Sequence, residues 1–155
     1  MPKDNPLTIV IFGATGDLYG DKLAKALFIL FKEGKLPTDF KIIAFARRDF
    51  IHHTFRSHTS EKITKRDNID HSNLDKFLEH IEYFKGDFFN QDDYKRLYDE
   101  LSLQKDRSII FHIATPYFAY KDIFQHIKDA RLNLMNKPPK ILIEKPFGES
   151  AQDAK

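Results

Sequence analysis

A chain of 155 residues has the length of one domain and can bury roughly two thirds of the surface it exposes when unfolded. Its 25 basic and 23 acidic residues nearly balance, and with a pI near 8.7 they give no electrostatic footing for nucleic acid. Cysteine is absent, which excludes disulfides and thiolate metal sites and agrees with a reducing compartment.

Residues 1–6 are a polar, proline-punctuated lead-in. The apolar run at 7–12 is too short for a membrane span or a signal-peptide core, so a soluble, cytoplasmic protein without a membrane partner is expected. That run ends in Gly13 and Gly16, and an amphipathic pattern follows. The sequence predicts a buried strand, a tight turn and a helix N-terminus, where unpaired amides and the positive end of the helix dipole favour phosphate. Gly13 allows the turn, and Gly16 leaves room for a diphosphate to approach the backbone. The first helix is predicted over 17–33, with Leu23, Ala26, Leu27, Leu30 and Phe31 on its apolar stripe and Lys22, Lys25 and Lys32 off it. Gly34 ends the helix and Pro37 blocks its continuation.

A second strand is predicted at 40–46, delivering Arg47 and Arg48 at its C-terminal end. A polar helical region follows to about residue 80, broken near Asp67-Asn68, with Leu74, Phe77, Leu78 and Ile81 on one late apolar face. Residues 81–85 form a short third strand ending at Gly86-Asp87. The next helix covers 92–103, with Tyr94, Leu97, Tyr98 and Leu101 facing inward. The fourth strand, 108–114, stops at Thr115-Pro116, and Ile123, Ile127, Ala130 and Leu134 mark the helix behind it. A turn at 136–139 leads into a fifth strand at 140–144. Residues 149–155 resemble a helix cut off in its first turns, so the chain is expected to be a truncated domain. Fifteen phenylalanines and no tryptophan read as compositional bias.

Strands alternating with helices predict an α/β fold. We expect a doubly wound, mainly parallel sheet of the Rossmann type, with helices on both faces, over residues 1–155. Ligands of such sheets lie beyond the C-terminal ends of the strands. Those ends carry Gly13 to Leu18, Arg47-Arg48, Gly86-Asp87-Phe88, Thr115-Pro116 and Glu144-Lys145-Pro146. An acidic residue after the second strand suits the ribose of NAD, whereas arginine accommodates the 2′-phosphate of NADP. Arg47 and Arg48 therefore favour NADP. Lys145, at the end of the fifth strand, fits an anionic substrate or a turn lysine equally. Tyr120 starts a helix and packs either on a nicotinamide or on the sheet. His52, His53, His58 and His71 lack the spacing of a zinc site. The Tyr117–Lys121 pair matches a dehydrogenase base spacing, but on the wrong strand.

Taken in order, the rim segments resemble one family. Gly13-Ala14-Thr15-Gly16-Asp17-Leu18, Lys22, Ala46-Arg47, Ile113-Ala114-Thr115-Pro116 and Glu144-Lys145-Pro146-Phe147-Gly148 are similar to the N-terminal domain of the glucose-6-phosphate dehydrogenases, over nearly the whole chain. The resemblance implies that Gly13, Ala14, Thr15, Gly16, Asp17 and Leu18 hold the diphosphate of NADP and Arg47 its 2′-phosphate. Asp87 and Phe88 fall on the adenine side, Tyr120 near the nicotinamide. Lys145 would contact glucose 6-phosphate and orient it toward the cofactor, with Lys22 close by.

The chain also departs from the family. Tyr19-Gly20-Asp21 stands where alanine and two basic residues are usual, and a bulky Tyr19 is expected to push the helix outward. Tyr117 replaces a proline, and Ala44 a glycine. The family's Arg-Ile-Asp-His-Tyr-Leu-Gly-Lys segment, with its histidine base, is not among the 155 residues. The resemblance thus implies a cofactor cradle and part of a substrate rim, inactive alone. It also implies a homo-oligomeric full enzyme, and a monomeric fragment with an exposed apolar patch. Two other readings stay open: an atypical short-chain dehydrogenase, whose pattern wants glycine where Tyr19 stands, and a non-enzymatic NADP-binding sensor.

Overall fold

A computed structural model describes residues 5–65, 70–104 and 106–144. Five parallel strands form one sheet: β1 (Leu7–Phe12), β2 (Phe40–Ala46), β3 (Ile81–Lys85), β4 (Ser108–Ile113) and β5 (Lys140–Ile143). Their order is β3-β2-β1-β4-β5, with β1 central and paired to β2 and β4 along its whole length. This order places the topological switch between β1 and β4. The expected doubly wound sheet is present.

β1 is buried on both faces, as its unbroken apolar run requires. Leu7, Ile9 and Ile11 enter one core, Val10 and Phe12 the other, following the period of a strand. The first core is closed by α1 (Ala24–Lys32), α2 (His52–Thr64) and α3 (Leu74–Glu79) through Leu27, Phe28, Phe55, Ile63, Leu74 and Phe77. The second is closed by α4 (Gln91–Ser102) and α5 (Tyr120–Asp129) through Tyr94, Leu97, Leu101, Ile123 and Ile127. Eight of the fifteen phenylalanines are buried in these two cores, so their abundance has a packing role beyond composition. Among the described residues no helix is long and apolar enough to cross a membrane.

Three local differences from expectation have clear causes. The first helix opens with a π-helical segment, Tyr19–Leu23, in which Ala24 N donates to Tyr19 O. The wider turn rotates the helix relative to an ideal 3.6-residue period. Ala24, Leu27 and Phe28 therefore face the core, while Ala26 is exposed and Leu30 only half-buried. Tyr19 does not wedge the helix away from the sheet. The π segment turns its ring inward beside Phe55, and its hydroxyl shares a 3.0 Å hydrogen bond with Thr59 Oγ1. At the end of α5, Arg131 takes a left-handed φ of 58° and breaks the helical period. Leu132 is buried in place of Leu134, which is exposed. The expected helix break at Asp67-Asn68 and the helix start at 149–155 lie outside the described residues.

Candidate functional site

The turn after β1 forms one wall of the rim. Gly13 has φ +89°, and a Cβ there would lie 2.5 Å from Ala114 O at the end of β4. Glycine is needed for both reasons. The amides of Gly13 and Ala14 both donate to Phe45 O in β2, at 3.0 and 3.3 Å, so they face the sheet. Gly16 N donates back to Gly13 O at 2.9 Å, and Gly20 N makes the first helical bond to Gly16 O. Among the described residues this leaves the amides of Thr15, Asp17 and Leu18 for a ligand, at the positive end of the helix. Gly13 and Ala14 shape the turn and Gly16 closes it.

β2 delivers Arg47 and Arg48 to the same rim. Both side chains are exposed. The Tyr83 hydroxyl, reaching over from β3, is shared between Ala46 O at 2.9 Å and Arg48 O at 2.6 Å, which straps this segment down. The one acidic neighbour, Asp49, is drawn off to Lys85 at 2.9 Å. Arg47 pairs with no group among the described residues, so its guanidinium is available for an anion. His58 lies behind these arginines against Phe50 and Phe55, its pKa lowered by burial and then by Lys62, with Arg48 contributing.

On the far side of β2, Asp87 N donates to Asp93 Oδ2 and Asp87 Oδ1 accepts from Phe89 N, so the carboxylate is committed to its own turn. Phe88 is half-buried and stacks on Phe45. Gly86 is required here because a Cβ would meet the Phe45 ring at 2.4 Å.

Across the switch, a cavity of about 430 Å³ opens between the glycine turn and the end of β5. Gly16, Asp17, Leu18, Ala114, Thr115, Pro116, Tyr117, Tyr120 and Glu144 line it. Glu144 is held from two sides. His112 Nε2 donates to its carboxylate at 3.2 Å, and the Tyr120 hydroxyl donates to its carbonyl at 2.9 Å. Burial lowers the His112 pKa, opposed in part by Glu144. Burial raises that of Tyr120. Lys22 is exposed on the π segment and does not line the cavity. Lys145 lies outside the described residues.

The remaining candidates are dispersed. His52 Nδ1 accepts from Tyr83 N at 2.9 Å, His53 and His71 are exposed, and Lys121 faces solvent while Tyr117 lines the cavity. Sequence reasoning missed the His112–Glu144 contact, because the pairing of β4 with β5 is a tertiary fact. It also gave no role to Thr115, whose buried hydroxyl has no partner among the described residues. The fit to a dinucleotide is therefore specific: among the described residues, free amides stand at the helix start after β1, an unpaired guanidinium after β2 on one side, and a hydroxyl without a partner after β4 on the other.

Comparison with known proteins gives a consistent result. Residues 10–155 match the family model described as glucose-6-phosphate dehydrogenase, NAD binding domain. A glucose-6-phosphate 1-dehydrogenase from Borreliella burgdorferi is 35% identical over 147 residues, covering 95% of this chain and 30% of that protein. One from Schizosaccharomyces pombe is 34% identical over 158 residues, covering 94% of this chain and 30% of that protein. A solved glucose-6-phosphate dehydrogenase in complex with its substrate glucose-6-phosphate superposes with a TM-score of 0.80 at 29% identity, over 97% of this chain and 32% of that one. The chain thus spans about three tenths of the length of the relatives it matches. Neither the short-chain dehydrogenase nor the stand-alone sensor is favoured by these matches. With its sheet order, its glycine turn and nearly its whole length in agreement, the chain belongs to the glucose-6-phosphate dehydrogenase family and matches that family's NAD binding domain.

Proposed function

We propose that the chain is the cofactor-binding portion of a glucose-6-phosphate 1-dehydrogenase and that it selects NADP over NAD. The observation carrying this is Arg47, exposed and without a partner among the described residues at the end of β2, beside Asp49, which pairs with Lys85. A guanidinium there meets a 2′-phosphate, whereas a carboxylate in its place would hold a ribose 2′-hydroxyl. The amides of Thr15, Asp17 and Leu18 take the diphosphate within the turn built by Gly13, Ala14 and Gly16. Asp87 and Phe88 border the adenine side, and Tyr120 and Lys145 the nicotinamide side. Lys145 and Lys22 serve the phosphorylated sugar.

Bound NADP supplies the hydride acceptor for oxidation at C1 of glucose 6-phosphate to the lactone. The residues of this chain bind and orient. The turn fixes the diphosphate, Arg47 fixes the adenosine end, and the Tyr120–Glu144–His112 contacts hold the end of β5, from which Lys145 follows. The base that accepts the C1 hydroxyl proton is assigned to a residue outside this chain, so the 155-residue chain alone is inactive and monomeric, and the full enzyme homo-oligomeric. A cytoplasmic location belongs to the same proposal.

Calorimetric titration tests it. The chain is expected to bind NADP⁺ more tightly than NAD⁺. Arg47→Ala is expected to weaken NADP⁺ by about ten-fold or more, the loss of a charged hydrogen bond, and to leave NAD⁺ almost unchanged. Equal affinity for the two cofactors would overturn the assignment.

A further inference from the structure

Thr115 carries the one buried side-chain oxygen without a hydrogen-bond partner among the described residues. The residue is 8% exposed and stands just beyond β4, in the wall of the cavity that also holds Gly16, Asp17, Leu18, Tyr120 and Glu144. Its Cγ2 lies 3.1 Å from the point where a Cβ on Gly13 would stand, so the side chain is packed directly beside the glycine turn. A buried hydroxyl without a partner gives up its hydration and gains nothing for it. Valine would fill the same volume without that penalty. The hydroxyl is therefore explained by a partner that the free protein lacks.

Two further observations say what that partner is. The helix start, whose Gly16, Asp17 and Leu18 line the same cavity, leaves the amides of Thr15, Asp17 and Leu18 unpaired among the described residues, which suits an anionic ligand. Pro116 follows Thr115 and has no amide hydrogen, so the Thr115 hydroxyl adds a donor where the next residue supplies none. Position then decides which part of the ligand it meets. β2, with Arg47 behind it, lies on one side of β1, and β4 lies on the other. A dinucleotide lying across the switch point puts its adenosine half over β2 and its nicotinamide half over β4.

We propose that Thr115 Oγ1 is a cofactor-binding hydroxyl, unpaired in the free protein and paired on binding by a ribose hydroxyl or phosphoryl oxygen of the nicotinamide half of NADP. The assignment rests on the cofactor reading above and deepens it. In the free protein Oγ1 is sealed from solvent. Pairing with the cofactor therefore requires rotation about the Cα–Cβ bond to another staggered position.

The test is calorimetric titration of the 155-residue chain with NADP⁺ and with adenosine 2′,5′-bisphosphate, which lacks the nicotinamide half. Wild type, Thr115→Val and Thr115→Ser are compared, with the Tm of each free protein. Thr115→Val is expected to weaken NADP⁺ roughly five- to ten-fold, the size of a neutral hydrogen bond. It should leave the bisphosphate affinity unchanged and should not lower the Tm. Thr115→Ser should keep wild-type affinity for both ligands. Undiminished NADP⁺ binding by Thr115→Val overturns the proposal, as does an equal loss for both ligands. So does a Thr115→Ser variant as weak as Thr115→Val. A wild-type chain that binds neither ligand removes the cofactor reading and this assignment together, and no variant is needed to see it.

Discussion

Tyr19 and Thr59 form a buried polar pair whose value lies in mutual satisfaction. Both are essentially inaccessible, and the tyrosine pKa is pushed far up by burial. Tyr19→Phe is expected to cost roughly 1–2 kcal/mol in urea unfolding, because it leaves the Thr59 hydroxyl without a partner. Adding Thr59→Val should recover most of that loss, since both polar atoms are then gone. A double variant as unstable as the sum of the two single changes would show that shape, not the hydrogen bond, is what the site needs. Gly13 is less forgiving. Its Cβ would meet a backbone carbonyl that has nowhere to move, in a left-handed conformation. Gly13→Ala is expected to cost about 3 kcal/mol or more, or to prevent folding, as read by circular dichroism melting. The need for glycine at this position was legible in the sequence. The destination of the turn's amides was not, since Phe45 O comes from another strand.

At the scale of elements, the strands were the most legible part, because each is an apolar run bounded by turn residues. The observed β2 and β3 have the predicted limits, and β4 and β5 end one residue earlier. The first helix was legible in extent but not in orientation, since a π segment depends on how Tyr19 packs and not on periodicity. The opposite end of the sheet shows a similar limit. Arg107 joins three chain segments there, donating to both Asp39 carboxylate oxygens at 2.7 and 2.8 Å, to Leu7 O at 2.9 Å and to Thr8 Oγ1 at 2.9 Å. Nothing in the local sequence singles it out. Asp39 is largely exposed, so the ion pair itself contributes little. The bonds to Leu7 O and Thr8 are the better shielded ones. Arg107→Met, which keeps the stem, is expected to cost roughly 1–2 kcal/mol in urea unfolding. A change near zero would mean that the strand ends hold themselves.

At the scale of the whole molecule, the β5 edge of the sheet is the less covered part among the described residues. Leu23, Ala26 and Leu30 of the first helix, with Leu36, Ile110 and Leu142, line an apolar trough of about 380 Å³ beside β5. Ile141, Leu142 and Ile143 are all more than a third exposed. Leu142→Gln is therefore expected to change stability by no more than about 0.5 kcal/mol while lowering the binding of an apolar dye such as ANS. A large loss of stability would show that the trough is closed in solution.

The pH response is also a property of the whole. Burial lowers the pKa of both His58 and His112 below the ordinary 6.5, so near pH 6 the folded chain binds fewer protons than the unfolded one. Their contribution to stability is complete above about pH 6.5 and is lost as the pH falls toward the folded values. Glu100, raised by burial, works in the opposite sense at lower pH. The urea midpoint should fall between pH 7.5 and 5.5, and His112→Gln should fall less. An equal fall in that variant would remove His112 from the account.

The central claim is that a diphosphate rests on the amides left free by the first turn, with Arg47 at the adenosine end. Amide nitrogen shifts of the ¹⁵N-labelled chain during an NADP⁺ titration test it most directly. The largest saturable shifts are expected at Thr15, Asp17 and Leu18, with Arg47 Nε responding to NADP⁺ and not to NAD⁺. Gly13 and Ala14, whose amides stay on Phe45 O, should move less. Saturable shifts confined to the apolar trough, with the first turn and Arg47 unmoved, would contradict it.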